Sequence, residues 1–363
     1  MKSIHAGTYW GIPVKIHWTF SLVFLILIGL GWANGESSIA LLSYAGFIIL
    51  MFVCVILHEY GHALAARKYG VKTLDIIISP IGGIARLQRL PDKPIHELVV
   101  AIAGPLVNLG ITLVLFLVAF LFFTEEQFAA PEESLDLIST PQGFIALLIY
   151  INCVLFLFNL VPAFPMDGGR ILRAFLSMRF GKVNGTKYAS LVGRIIAVIF
   201  VLIGFYYQYI MLIFIGAFVF IMARSENNQM LVKDRLSGAK ARDIMKTDFT
   251  KLHLSTTMRE VYDSYIRGGE KNYLVYDSMG NISGVMPELF IKDAFKTGAL
   301  DKTSNEYMSS NIYFADGEVT LDKLFDDMNQ KGVAIAIIKN GDQIQGVIDR
   351  QMLYNFIQLQ ISK

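Results

Sequence analysis

Long apolar runs alternate with polar segments over residues 1–223 of the chain. A helix needs about 20 apolar residues to cross the hydrocarbon core of a bilayer. Runs near this length predict six transmembrane helices, near Ile16–Ala33, Ile39–Ala66, Leu98–Phe123, Phe144–Val161, Tyr188–Tyr206 and Tyr207–Ala223. We therefore expect residues 1–223 to form an α-helical polytopic membrane domain.

The polar segments between these runs predict the orientation of the helices. Segments 67–93 and 170–187 are rich in Lys and Arg, whereas segment 124–142 holds five acidic residues and no basic one. Cytoplasmic loops of membrane proteins retain Lys and Arg. We therefore expect a multi-pass protein of the cell membrane with both basic loops, and both termini, in the cytoplasm.

Charged sequence of the soluble type begins near Arg224, and it repeats itself. Its two halves, 239–300 and 301–363, each offer a helix, two short β runs and a second helix. In the second half, Asn340-Gly341 between two apolar β runs is a strong hairpin signal. The pattern predicts a linker over 224–238, followed by a cytoplasmic α/β domain of two β-α-β-β-α units.

The composition restricts the classes of function. With 54% hydrophobic and 17% charged residues, the chain has more apolar surface than a soluble core can bury. Its formal charge of +2 gives no reason to expect nucleic acid as a partner. The two cysteines, Cys54 and Cys153, lie inside apolar runs and are expected to act as small hydrophobic residues. The lipid bilayer is the partner that this composition predicts.

The clearest chemical motif is His58-Glu59-Tyr60-Gly61-His62, at the cytoplasmic end of the second apolar run. Residues four apart share one face of a helix, so both imidazoles can bind one zinc ion. Glu59 lies beside them and can accept a proton from zinc-bound water. The alternative is a pair of buried histidines with no function, but three ionisable groups are costly in a membrane helix.

A catalytic zinc ion needs a third protein ligand. Asp167 follows the fourth apolar run, in a segment (159–169) whose two prolines and two glycines exclude a continuous helix. Such a segment can bend the carboxylate toward the metal, and the loop charges place it at the same membrane face as His58 and His62. We expect one zinc ion per chain, bound by these three residues. The alternative is that Asp167 only caps the next helix.

These motifs, with Ser79–Gly83 and Ala103–Asn108, resemble the site-2 protease family of intramembrane zinc metalloproteases, in the branch with a C-terminal pair of CBS domains. The resemblance implies that Glu59 is the general base. It also implies a small membrane-associated β-hairpin at Gly82-Gly83, which together with Asn159 holds an unwound segment of the substrate. An ordinary turn would explain the two glycines equally well.

The resemblance further implies hydrolysis of a peptide bond in or beside a transmembrane segment of a single-pass membrane protein. The substrate would be an anti-sigma factor or another membrane-tethered regulator, and a fragment would be released to the cytosol. An extended substrate segment would pair with an edge strand around Leu74 to Leu87. Two other classes of protein remain as alternatives: a CBS-regulated membrane transporter and a non-catalytic membrane scaffold.

By the same resemblance, the CBS pair implies a sensor of adenine nucleotides. In this sequence Pro287 and Asp349 stand where the ribose-binding Thr of such domains is usual. A structural module, or one that joins two chains into a homo-oligomer, is therefore an equal alternative.

Overall fold

The computed structural model describes residues 3–35, 37–80, 82–89, 91, 93–123, 138, 140–268, 270–341 and 343–361. The chain divides into two compact units, Met1–Asn228 and Gln229–Lys363.

Apolar helices make up most of the first unit. They are α1 (Phe20–Ala33), α2 (Ser38–Lys68), α3 (Pro94–Phe122), α4 (Pro141–Asn159), α5 (Asp167–Tyr206) and α6 (Ile210–Ser237). Helix α3 lies at the centre of this group and packs against α2, α4 and α5. The predicted linker over 224–238 is helical over residues 224–237, which form the C-terminal part of α6, and the boundary between the two units falls within it.

The predicted count of six spanning helices is confirmed only in part. In the described residues, five helices, α2 to α6, are long and apolar enough to cross a membrane. Helix α1 has 14 residues and rises about 21 Å, which is less than the hydrocarbon thickness of about 30 Å. The predicted span began too early, since Ile16 belongs to a β-strand.

A four-stranded sheet accompanies the helices of the first unit. Its strands are β1 (Ser3–Tyr9), β2 (Ile12–His17), β3 (Thr73–Ser79) and β4 (Gly82–Leu87), in the order β1-β2-β3-β4. Strands β2 and β3 are parallel, and the other two pairs are antiparallel. The predicted small hairpin is therefore only half of the sheet.

Apolar side chains hold this sheet against α2. Ile12, Val14, Ile76 and Ile78 of the sheet share a buried cluster with residues of α2, among them Tyr60. Strand β4 ends the sheet on the side that contacts α2. This arrangement places an edge strand beside the His-Glu-x-x-His segment.

A sharp reversal of the chain connects α4 to α5. Gly168 and Gly169, at the start of α5, lie so close to the backbone of residues 160–164 that a Cβ atom at either position would overlap it. The two prolines of the segment and these glycines explain why the helix stops and restarts here. The first residue of α5 is Asp167, so the reversal determines where its carboxylate points.

The second unit is built from two similar halves. The first contains α7 (Ala241–Ile244), β5 (Lys251–His253), α8 (Met258–Ile266), β6 (Tyr273–Tyr276), β7 (Ile282–Met286) and α9 (Glu288–Lys296). The second contains α10 (Ser304–Tyr307), β8 (Phe314–Asp316), α11 (Leu321–Lys331), β9 (Ile335–Asn340), β10 (Gln343–Asp349) and α12 (Arg350–Ile361). Each half has a three-stranded sheet, β5-β6-β7 or β10-β9-β8. Both halves follow the predicted β-α-β-β-α order.

Candidate metal centre

Helix α2 carries His58 and His62 one turn apart, on the side that faces α3. Their Nε2 atoms are 3.1 Å apart, and the residues are 7% and 4% exposed. The spacing of four residues accounts for the pairing, because one helical turn brings both rings to the same face. Two imidazole nitrogens are thus presented to one point inside the first unit.

The Asp167 carboxylate completes a buried triangle of ligand atoms. Its Oδ2 lies 3.1 Å from Nε2 of His62 and 3.2 Å from Nε2 of His58. Within the described part of the chain, these three residues form the one group of His, Cys, Asp or Glu side chains close enough to hold a metal ion together. The structure therefore brings together the three residues that the sequence predicts as ligands, although Asp167 lies more than 100 positions away along the chain.

The outer nitrogens of both imidazoles have partners that suit metal binding. Nδ1 of His62 lies 2.7 Å from the carbonyl oxygen of Val100, and Nδ1 of His58 lies 2.5 Å from Oδ1 of Asn108. Since a carbonyl oxygen can only accept, Nδ1 of His62 carries the proton and Nε2 keeps its lone pair. The same tautomer follows for His58 if the Asn108 oxygen accepts from Nδ1.

Distances and charge in this triangle fit zinc. Ligands at about 2.0–2.1 Å from a tetrahedral zinc ion lie about 3.3–3.4 Å from one another. The observed separations of 3.1–3.2 Å are close to this value. Two neutral imidazoles and one carboxylate are also a ligand set typical of catalytic zinc, with room for a fourth ligand.

Glu59 belongs to α2, and its side chain lies against the edge strand β4. Its Oε2 accepts a hydrogen bond of 2.8 Å from the backbone N–H of Ala85. Gly83 leaves the space that this side chain fills, since a Cβ atom there would be only 2.8 Å from Cγ of Glu59. The carboxylate next to His58 is therefore held by β4, at a position from which it can accept a proton beside the metal ligands.

The residues predicted to bind the substrate are Gly82, Gly83 and Asn159, and they lie in two different places. Gly82 begins β4 with φ of 135°, a backbone conformation that favours glycine, and Gly83 follows it against Glu59. Asn159 is the half-buried last residue of α4. Substrate binding by these three residues stays a prediction.

This chain is similar to known proteins over most of its length. The model of peptidase family M50 matches residues 46–203, a range that contains the three candidate ligands and Glu59. A zinc metalloprotease of Methanocaldococcus jannaschii is 36% identical over 276 residues, which cover 76% of this chain and 76% of the relative. This chain belongs to peptidase family M50. The prediction of a site-2 type zinc metalloprotease is thereby confirmed.

Two solved structures are similar to parts of the protease. The site-2 protease of Methanocaldococcus jannaschii is 39% identical, with a TM-score of 0.45, and the match covers 62% of this chain and 95% of that one. The CBS domain of a bacterial CNNM/CorC family Mg²⁺ transporter in complex with ATP is 17% identical, with a TM-score of 0.32. That match covers 37% of the protease and 97% of the transporter domain.

Sequence reasoning assigned no role to two residues of α3 that lie against the candidate ligands of the protease. Asn108 contacts His58 as described above. Gly104 faces the Nε2 atoms of both histidines, and a Cβ atom there would overlap them. Both belong to Ala103–Asn108, so the signal was present as a motif, but its meaning depends on how α3 packs against α2.

A buried ion cluster fastens the start of α5 in the protease. Arg173 is 4% exposed and donates to Glu97 of α3 at 2.6 Å, and it also pairs with Glu226 of α6. Its guanidinium lies 5.2 Å from the centre of the Phe164 ring, in the segment that precedes Asp167. The cluster thus connects three helices at the turn that positions the candidate ligand.

A second ion cluster lies within the sheet. Asp75 of β3 is 1% exposed and accepts from Lys15 of β2 at 2.7 Å and from Arg86 of β4 at 2.5 Å. The hydrogen bonds from Arg86, helped by Lys15, hold the pKa of Asp75 below its ordinary value, although burial opposes this effect. The cluster connects β4, the strand that holds Glu59, to the rest of the sheet.

Proposed function

We propose that this protease hydrolyses a peptide bond in or beside a transmembrane segment of a single-pass membrane protein. The observation that carries the proposal is the meeting of His58, His62 and Asp167 at one buried point with Glu59 beside them. The five long apolar helices place this site in a protein that spans the membrane several times. The substrate would therefore reach the site from the bilayer or from its boundary.

The residues of the site would have different roles in the hydrolysis. His58, His62 and Asp167 would hold one zinc ion, which would polarise the scissile carbonyl and activate a water molecule. Glu59 would take the proton of the attacking water on its carboxylate and later deliver it to the leaving amine. The N–H of Ala85 would keep that carboxylate at its place during both transfers.

The edge strand β4 supports the way in which a substrate would be presented. A transmembrane helix hides its carbonyl groups in hydrogen bonds, so the scissile segment has to be extended first. Strand β4 is the edge of the sheet, and Ala85 on that edge contacts Glu59. A substrate strand paired with β4 would therefore lie beside the base, with Gly82, Gly83 and Asn159 as candidate contacts.

The place of cleavage and the product follow from the loop charges. The Lys and Arg residues of 67–93 and 170–187 favour a cytoplasmic position for the ends of the helices that carry the site. We propose that both termini are cytoplasmic in the cell membrane, with the short apolar helix α1 as a sixth crossing, and that the fragment is released to the cytosol. A membrane-tethered regulator, such as an anti-sigma factor, is the substrate class proposed from the family resemblance.

For the CBS pair we propose a structural or dimerising role. Asp349 uses one carboxylate oxygen to accept from the N–H of Met352 and the other to accept from Asn272. Pro287, at the corresponding place in the first half, offers neither a hydroxyl nor an N–H. Titration of the purified chain with ATP tests this proposal, because saturable binding at micromolar concentration would favour the nucleotide sensor instead.

Two substitutions test the proposed catalytic site. The purified chain is reconstituted in liposomes with a single-pass model substrate, and zinc content and cleavage are both measured. Glu59→Gln should keep one zinc ion per chain and lower cleavage by at least about 100-fold, since general-base catalysis contributes that much. Asp167→Ala should lose both zinc and cleavage. Cleavage by Glu59→Gln at the wild-type rate would refute the role of the base.

A further inference from the structure

One buried side chain of the first unit, Asn152, belongs to none of the sequence motifs. Asn152 lies in the middle of α4, the helix that carries none of the candidate ligands, and it is 0% exposed. A polar amide in an apolar spanning helix is costly unless all its hydrogen-bonding groups find partners. The partners of Asn152 therefore indicate what it does.

Two of these partners belong to a chain of hydrogen bonds that ends at a candidate zinc ligand, and a third, Sγ of Cys54 on α2, lies 3.5 Å from Nδ2 of Asn152. Nδ2 of Asn152 donates to the carbonyl oxygen of Leu148 at 2.8 Å, and its Oδ1 accepts from Nδ2 of Asn108 at 2.9 Å. Oδ1 of Asn108 in turn lies 2.5 Å from Nδ1 of His58. Three side chains from α4, α3 and α2 are thus joined in one buried line.

The direction of this line is determined by the backbone at its far end. The Leu148 carbonyl can only accept, so the nitrogen of the Asn152 amide has to face it and the oxygen has to face Asn108. The same reasoning turns the nitrogen of Asn108 toward Asn152 and its oxygen toward His58. Nδ1 of His58 must then carry the proton, which leaves the lone pair of Nε2 for the metal.

We propose that Asn152 is a positioning residue of the metal centre, which sets the tautomer of His58 through the orientation of Asn108. The inference rests on the proposed zinc site at His58, His62 and Asp167. It assigns the fourth helix a part in zinc binding, although that helix contributes no ligand. Partners of this kind typically change metal affinity by about 10- to 100-fold when they are removed.

A simpler alternative is that the two amides only hold α3 and α4 together. The same pair of helices offers a matched control, because Thr112 of α3 lies 4.0 Å from Sγ of Cys153, next to Asn152. Thr112→Val removes a buried polar contact between the same helices but leaves the line to His58 intact. A purely structural role predicts similar effects of Thr112→Val and Asn152→Leu on the metal centre.

The test measures zinc affinity in detergent by competition with a chromophoric chelator. Asn152→Leu should weaken zinc binding by about 10- to 100-fold, and it should change the visible absorption spectrum of the Co²⁺-loaded chain. Thr112→Val should leave both unchanged. In the Asn108→Asp background, Asn152→Leu should change zinc affinity by less than about threefold, because the two equivalent oxygens of a carboxylate need no orienting partner.

The possible results distinguish failure of the positioning role from failure of the zinc site. Wild-type zinc affinity in Asn152→Leu, or an equal loss in both backgrounds, would overturn the positioning role. A wild-type chain that binds no stoichiometric zinc, or a His58→Ala variant that binds it undiminished, would instead refute the zinc site on which the inference rests. The proposal is supported if Asn152→Leu weakens zinc binding only in the chain that keeps Asn108, and not in the Asn108→Asp chain, and if the spectral change is also seen.

Discussion

Gly83 offers a sharp test of how the base is positioned. A Cβ atom at this residue would lie 2.8 Å from Cγ of Glu59 and 3.0 Å from Cγ1 of Val55. Carbon atoms in contact are normally about 3.5–4.0 Å apart, so Gly83→Ala has to displace the Glu59 side chain or β4 by about 1 Å. The three atoms nearest to this Cβ belong to Glu59 and Val55, and none of them belongs to a candidate zinc ligand.

The expected effect is a loss in turnover with zinc retained. A displacement of about 1 Å in a catalytic group costs about 100-fold in rate, which corresponds to about 2.7 kcal/mol in the activation free energy. We expect kcat to fall by this factor on the reconstituted model substrate, with zinc content and KM close to those of the wild type. If Gly83 acts only by holding the substrate, KM rises and kcat stays constant.

Ile84 provides the control for this experiment. It follows Gly83 on the same strand, is 60% exposed and pairs with Ile77 of β3. Ile84→Ala removes apolar surface from β4 without approaching Glu59, so kcat should stay near the wild-type value. A Gly83→Ala variant with kcat within about threefold of the wild type would contradict the argument, because the displacement would then be catalytically harmless.

The two ion clusters lead to predictions about stability, both measured by thermal unfolding of the purified chain in detergent. Arg173→Met should lower the free energy of unfolding by about 3–5 kcal/mol, because it leaves Glu97 buried without its cation; an unchanged melting temperature would contradict this role. Asp75→Asn should lower the melting temperature at pH 7. The depressed pKa of Asp75 means that its contribution is present above the unfolded-state pKa of about 3.9 and is lost as the pH falls through the folded-state value. The difference between this variant and the wild type should therefore shrink in acid, and a constant difference would refute the assignment.

Local spacing was enough to predict the part of the site that lies on one helix. His58, Glu59 and His62 are predictable because helical geometry relates residues four apart whatever the rest of the protein does. Asp167 could be predicted because prolines and glycines mark an irregular segment at the same membrane face. The fold of that segment against its own backbone, which aims the carboxylate, is visible only in the structure.

The N-terminal part of the sheet shows where apolar patterns become ambiguous. Ile12–His17 is followed almost directly by the apolar helix α1, so hydropathy alone merges the strand with the span. Short apolar runs do not distinguish a buried strand from the start of a helix. The parallel pairing of β2 with β3 joins segments about 60 residues apart, and no local pattern in either segment predicts it.

The groups that complete the site are hard to predict for a further physical reason, since some of them act by having no side chain. Gly83 lets β4 approach Glu59, and Gly104 lets α3 approach the two histidines. Functional residues are recognised in a sequence as donors, acceptors or ionisable groups. A glycine that acts by having no side chain is therefore not recognised. The amides of Asn108 and Asn152 are passed over for the opposite reason, because each finds its partner on another helix. In a membrane protease, where most of the surface of a helix is free to be apolar, a buried amide or a glycine that allows close approach is therefore as informative about the active site as a ligand is.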